Sequence, residues 1–327
     1  MVDLVSLGEV MLRMSPPRYE RLRQATQLDV YVAGSQLNVA ANLAQLGKRT
    51  AFVSKLPANE LGQLARGACQ GYGVDVTNVP LVADARMGVN YLEFGATPRA
   101  GVAVYDRAGS AASSITAGDF AWMEVTRGAR LAYTDGIFPG LGVGCFEATL
   151  AFLTAAREQG ALTCFDVNYR EHLWSIERAR DAWREILPLV DILATNRSVS
   201  ELVFGFTGSD GELLTHYHDA FGCGTVCLTT REMFGVLRGA WSSLAWHEGR
   251  VLQGRRYEFD VVDRFGTGDA WFAGFLYGYL EGDVQFALDF GDALCALAHT
   301  IEGDVARVSV EDVMPLLAAD PDLRVRR

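Results

Sequence analysis

The sequence predicts an α/β fold, with a mostly parallel central sheet and helices on both faces. Three observations carry that prediction. Apolar runs of strand length recur at 4–7, 50–54, 131–134, Leu162–Asp166, 192–194 and 225–229. Helical patterns lie between several of them, such as 38–46 ahead of Gly47 and 145–159 ahead of Gly160, and a glycine is a good helix stop. A strand-like stretch at 259–262 is followed by a glycine-rich turn and a long apolar helix pattern. Strands that read as continuous apolar runs and alternate with helices belong to a sheet covered on both faces.

Taken in chain order, the first strand at 4–7 follows Met1-Val2-Asp3, which has neither a basic segment nor a long apolar one. No secretory signal is expected, and with no long uninterrupted apolar window no membrane span is expected either. A cytoplasmic location is the expectation. Residues 9–32 and 86–111 break the α/β rhythm. Their β-type residues and turn formers, with alternation at 91–94 and 102–105, predict antiparallel strands outside the main sheet, serving as a lid, a dimer surface or ordinary surface hairpins. The whole of 1–327 reads as one domain, because no linker, repeat or low-complexity tract divides it.

Composition narrows the function. The 327 residues carry 29 Lys+Arg against 40 Asp+Glu, a formal charge of −11, and half are hydrophobic. Disorder is excluded by the apolar content, and a general nucleic-acid or anionic-membrane binder is disfavoured by the charge. The six cysteines (Cys69, Cys145, Cys164, Cys223, Cys227, Cys295) are scattered. Cys223 and Cys227 would share a face of a strand over 223–229, but no second ligand pair accompanies them, so buried reduced thiols are expected. His216 and His218 read as lying on different faces of a helix rather than as a metal pair.

Two segments could carry chemistry. In Asp263-Arg264-Phe265-Gly266-Thr267-Gly268-Asp269, the glycines permit a tight turn with unobstructed N–H groups. Free amides and the positive end of a helix dipole then converge on one place, an anion site. Asp269 stands there as a candidate base, although the same residues also suit a plain helix cap. No P-loop lysine follows and no dinucleotide fingerprint sits near the first strand. In Ala33-Gly34-Ser35-Gln36-Leu37-Asn38, small polar residues again lead into an apolar helix. Asn38 falls about one turn in, able to reach a ligand hydroxyl or simply solvent.

The two segments together resemble the N- and C-terminal signatures of the ribokinase-like (PfkB) sugar kinase family, as Gly34…Asn38…Gly47 and Asp263…Gly266-Thr267-Gly268-Asp269-Ala270. The resemblance covers nearly the whole chain. Its subgroup features are similar to 2-keto-3-deoxygluconate kinases: Gly8-Glu9-Val10-Met11-Leu12-Arg13, Tyr105-Asp106-Arg107-Ala108-Gly109-Ser110, Asp166-Val167-Asn168-Tyr169-Arg170 and Gly303-Asp304. It implies a three-layer α/β/α sandwich with a small β lid at about 9–32 and 86–111. It also implies ATP with Mg²⁺, a sugar-acid substrate and a homodimer joined through the lid.

The resemblance further implies residue roles. Asp269 is the general base, and the amides of Gly266, Thr267 and Gly268 stabilise the transferring phosphate. Gly34, Asn38, Tyr105, Arg107, Arg170 and Asp304 contact substrate, the lid pair Tyr105 and Arg107 facing one way to clamp a carboxylate. For Arg107 a surface salt bridge is the alternative, for Asp304 a turn, and for Arg170 the neutralisation of the phosphate. Asn196, Thr229, Thr230 and Arg231, with Gly266 and Gly268, contact nucleotide. Val199 occupies the place of a family glutamate, so no direct metal ligand is assigned, and Glu201 would act only through water. Arg264-Phe265 stands for a common Thr-Thr and Trp271 for a common Phe, without removing amides or base. Kinases of fructose or of 2-keto-3-deoxygalactonate, and a non-catalytic sugar-acid sensor, are the rival readings.

Overall fold

A computed structural model describes residues 1–318. Nine strands run in the order Arg250–Gln253, Arg238–His247, Thr225–Met233, Ile192–Thr195, Leu162–Asp166, Ala129–Asp135, Val2–Leu7, Thr50–Val53 and Val74–Asn78. From Val74–Asn78 to Thr225–Met233 every pairing is parallel. The remaining pairings are antiparallel, and Tyr257–Asp260 joins as a tenth strand beside Arg238–His247.

The period-two geometry of the strands divides the core in two. Leu4, Leu131, Tyr133, Cys164, Ile192 and Cys227 enter one cluster with the Ser35–Gln45 and Thr267–Leu280 helices. Their neighbours Val5, Ala132, Phe165, Leu193 and Val226 enter the other, with Val143–Glu158, Ile176–Ile186 and Asp210–Phe221. Both faces of each strand are therefore apolar, which is why these strands read as continuous runs. Burial of so many large side chains stabilises the sandwich at about 25 cal/mol per Å² of apolar surface removed from water.

All six cysteines are free and buried. The strand over the Cys223/Cys227 pair begins only at Thr225, so the two thiols fall in different clusters and do not share a face as expected. His216 and His218 lie on the Asp210–Phe221 helix, with His218 stacked on Trp246 at 3.9 Å.

A second sheet has the order Asp29–Ala33, Met11–Ser15, Gly88–Glu93, Val102–Asp106. Its outer pairings are antiparallel, but Met11–Ser15 and Gly88–Glu93 pair in parallel, which corrects the all-antiparallel expectation. A long connection through the main sheet separates these two strands, and parallel pairing needs such a crossover.

The Thr267–Leu280 and Val284–His299 helices pack with unusually close backbones. An ideal Cβ at Gly278 would lie 2.5 Å from Ala287 Cα, and no flexible side chain there can yield. The Gly278→Val substitution is expected to destabilise the chain by about 1–3 kcal/mol, read from the midpoint of urea unfolding. An unchanged midpoint would show that the two helices separate freely.

Candidate active site

At the carboxyl ends of the parallel strands lies a cleft of about 680 Å³. Ligands bind at that edge of open α/β sheets because the loops and helix N-termini gather there. Asp166, Asn168, Arg170, Asn196, Thr229, Thr230, Arg231, Arg264, Gly266, Gly268 and Asp269 all line it. One cleft thus gathers the residues assigned to nucleotide, together with Asp269 and Arg170.

The turn before the Thr267–Leu280 helix is built for exposed amides. Gly266 caps the helix at φ 71°, in the left-handed region that favours glycine, with its would-be Cβ 2.1 Å from the Asp304 carbonyl oxygen. Asp263 braces the turn by accepting the Phe265 amide (3.0 Å). Thr267, Gly268 and Asp269 are the first three helical residues, and their amides precede any intrahelical acceptor. A Cβ at Gly268 would meet open space. The Thr267 hydroxyl does not face the cleft as a donor. It gives its proton to the Arg264 carbonyl (3.0 Å) and accepts from Arg231 Nη2 (2.8 Å). The Arg231 guanidinium lies over the Trp241 ring at 5.4 Å.

Asp269 meets the start of the Ser35–Gln45 helix. Ser35 Oγ donates to its Oδ1 and Asn38 Nδ2 to its Oδ2, each at 2.7 Å. One N–H of the Asn38 amide is thereby taken by the carboxylate, a contact that its spacing in the sequence does not announce. Its Oδ1 accepts the Gly34 amide (3.3 Å), so Gly34 acts here by shaping the helix start. Behind them Asn168 Nδ2 donates to Ser35 Oγ (3.0 Å) and to Asp135 Oδ2 (2.9 Å), and Gln36 Nε2 donates to Asp135 Oδ1.

Three carboxyls therefore share one end of the sheet: Asp135, Asp166 and Asp269. Burial pushes Asp269 up to about 6, against the pull of the Asn38 and Ser35 hydrogen bonds. Burial, with the charges of Asp135 and Asp269, pushes Asp166 up to about 7. A carboxyl poised near neutrality can take a proton and release it at working pH.

The remaining assignments are changed or refined. Arg107 lies just beyond the strand Val102–Asp106 and pairs with buried Glu9, which also accepts from Ser110 Oγ (3.0 Å). Its guanidinium stays 5.6 Å from the Tyr105 ring centre, and Tyr105 stacks on His172 at 5.1 Å. The pair is thus adjacent, but Arg107 is neither a surface bridge nor a free fork. Asp304 is paired with Arg13 (3.1 Å) rather than open. Arg170 Nη1 donates to the Tyr169 carbonyl (3.3 Å) on the cleft wall. Asn196 caps the turn at 197–199 by accepting the Val199 amide (3.0 Å). Glu201 pairs with Arg197 (2.9 Å) and is not among the lining residues, which removes it as the cleft's acid. Asp166 is the carboxyl that sequence reasoning left without a role. Its signal was its place at the last position of a parallel strand.

A family model described as pfkB family carbohydrate kinase matches residues 1–309. The chain is 36% identical over 319 residues to 2-dehydro-3-deoxygalactonokinase of Haloferax volcanii, covering 96% of each. It superposes on the crystal structure of 2-dehydro-3-deoxygluconokinase from Thermotoga maritima with TM-score 0.93, at 35% identity over 96% of this chain and 98% of that one. A fructokinase with bound ATP from Xylella fastidiosa shares the fold at TM-score 0.81 and 18% identity, covering 96% of this chain and 98% of that one.

The Asn38→Ala substitution removes a donor that favours the charged form of Asp269. Its carboxyl is then expected to titrate above about 6, followed by carbon-13 NMR of labelled aspartate. A downward shift would mean that Asn38 does not stabilise the carboxylate.

Proposed function

This chain belongs to the pfkB family of carbohydrate kinases, and on that premise we propose that it uses ATP to phosphorylate the 6-hydroxyl of 2-keto-3-deoxygluconate (2-dehydro-3-deoxygluconate). The observation that carries the reading is the placement of Asp269, three residues into a helix whose free amides open on the cleft. One locus then offers a proton acceptor and an anion cradle, the two things that in-line transfer to an alcohol needs.

The geometry supports a role for each residue. Asp269 Oδ1 and Oδ2 are aimed by Ser35 and Asn38, and the carboxylate accepts the proton of the attacking hydroxyl. The first-turn amides at 266–268 receive the charge that develops on the transferring oxygens. Arg170 and Arg264 supply cations on the cleft wall. Thr229, Thr230, Arg231 and Asn196 line the nucleotide end. Tyr105, beside Arg107 and stacked on His172, brings the second sheet over the substrate end, where a closed lid excludes competing water.

Oxygen donors suit Mg²⁺, which keeps much of its water and needs only one or two carboxylates besides phosphates. Asp166, with Asn196 nearby on the same wall, fits that demand, and a cation there would offset the burial and the neighbouring carboxyl charges that raise this group. Bound with the triphosphate, Mg²⁺ neutralises phosphate charge. The family precedent for both is an E. coli structure described as ribokinase II, holding ATP and Mg²⁺, with TM-score 0.85 and 16% identity over 97% of this chain and 99% of that one.

The name of the Haloferax relative favours a second reading, the epimeric 2-keto-3-deoxygalactonate. A homodimer through the second sheet is proposed as well. Val102–Asp106 is an edge strand exposed throughout, with Val102 and Val104 48% and 50% exposed, and an apolar edge of that kind invites pairing. Sedimentation velocity is expected to report a dimer, and a monomer at micromolar concentration would remove this part. Among the described residues no helix is long and apolar enough to cross a membrane. We place the enzyme in the cytoplasm, where ATP is made and buried thiols stay reduced.

An ADP-release assay over sugar acids and neutral sugars tests the activity. Turnover is expected with 2-keto-3-deoxygluconate, and fast turnover of fructose alone would overturn the substrate. Asp269→Asn should lower kcat by about 10²–10⁴-fold with little change in KM. Near-normal kcat in the folded variant would remove Asp269 as the base.

A further inference from the structure

The second sheet sends one fully buried cation into the loop that carries the anion cradle. Arg13, on the strand Met11–Ser15, is 0% exposed. Its Nη2 donates to Asp263 Oδ2 (2.8 Å), and its Nε lies 3.1 Å from Asp304 Oδ2. Aromatic rings enclose it, with Tyr31 at 4.2 Å and Phe265 at 5.4 Å from the guanidinium carbon. A charge withdrawn this far from water persists only where its partners are fixed.

Those partners are the frame of the 263–269 turn. Asp263 accepts three donors: Arg13, the Phe265 amide (3.0 Å) and the Gly303 amide (3.0 Å). The Asp304 backbone closes on Gly266, leaving no room for a side chain there. Tyr31, which covers Arg13, donates from its hydroxyl to Glu302 (2.6 Å) and so belongs to the same joint. Without Arg13, two carboxylates would face one another in a water-poor pocket, and both stand on the segments that shape the Gly266 turn. A planar fork can serve two carboxylates together, whereas a lysine ammonium is a point charge on a flexible stem.

Resting on the kinase reading above, we propose that Arg13 is a positioning residue for phosphoryl transfer. It locks the 263–266 turn, and through it the first-turn amides, in register with the second sheet. It touches neither reacting group. Its loss acts on cradle geometry, and a misplacement of the order of 1 Å costs about 10²-fold in rate.

The test compares Arg13→Met and Arg13→Lys with the unaltered chain. In Arg13→Met kcat is expected to fall about 10²-fold, and in Arg13→Lys by an intermediate amount, with KM for both substrates little changed. The acid limb of the pH–rate profile should stay in place, because Ser35 and Asn38 still hold Asp269. Amide hydrogen exchange over 261–270, measured without substrate, should speed up about tenfold in both variants. Should the methionine variant fail to fold, the lysine variant carries the test alone. Wild-type kcat in the folded variants, or unchanged exchange over 261–270, would overturn the proposal. If the unaltered chain turns over no sugar acid, the kinase reading fails by itself, and the exchange comparison still decides what Arg13 does.

Discussion

The two hydrogen bonds that hold Asp269, from Ser35 on one helix and Asn38 one turn later, are the constraint on which the rest of the site depends. They join the start of the Ser35–Gln45 helix to the start of the Thr267–Leu280 helix, so the carboxylate proposed as base and the first-turn amides proposed as cradle are held together. The chain of donors continues through Asn168 to Asp135 at the end of a central strand. Each link satisfies a polar group that burial would otherwise leave costly. The apolar interior on both sheet faces sets the strand ends, the strand ends set the carboxyls, and the helix starts supply the donors.

The net charge of −11 makes this local design necessary. Both proposed ligands are anions, so the field of the whole molecule repels them. Attraction has to come from placed groups: first-turn amides, Arg170, Arg231 and Arg264 on the cleft wall, and a cation brought with the nucleotide. The raised carboxyls fit the same view. Burial first, and the charge of neighbouring carboxyls second, hold Asp166 and Asp269 near neutrality, and bound cationic charge would draw them back toward the ionised form.

Much of this was legible in the sequence, and the limits have physical causes. The parallel strands were readable because both faces are apolar. Leu162–Asp166 was bounded as observed, while 225–229 fell short of Thr225–Met233 because the exposed end of that hairpin is polar. The helix expected at 38–46 begins at Ser35, since Ser35 and Gln36 look like a cap while their side chains are turned inward to carboxylates. The turn at Gly266 ahead of a long apolar helix was readable from residue types alone. The roles of Arg107 and Asp304 were not, because Glu9 and Arg13, which pair with them, lie far away in the chain. Contacts across 250 positions, such as Arg13 to Asp263, leave no trace in local spacing.

One helix start is proposed to provide both the proton acceptor and the phosphate cradle. A crystal structure with a non-hydrolysable ATP analogue, Mg²⁺ and 2-keto-3-deoxygluconate is the decisive measurement. The terminal phosphate is expected against the amides at 266–268, with the sugar's primary hydroxyl hydrogen-bonded to Asp269. A terminal phosphate bound elsewhere, or the sugar's carboxylate in the cradle, would contradict it.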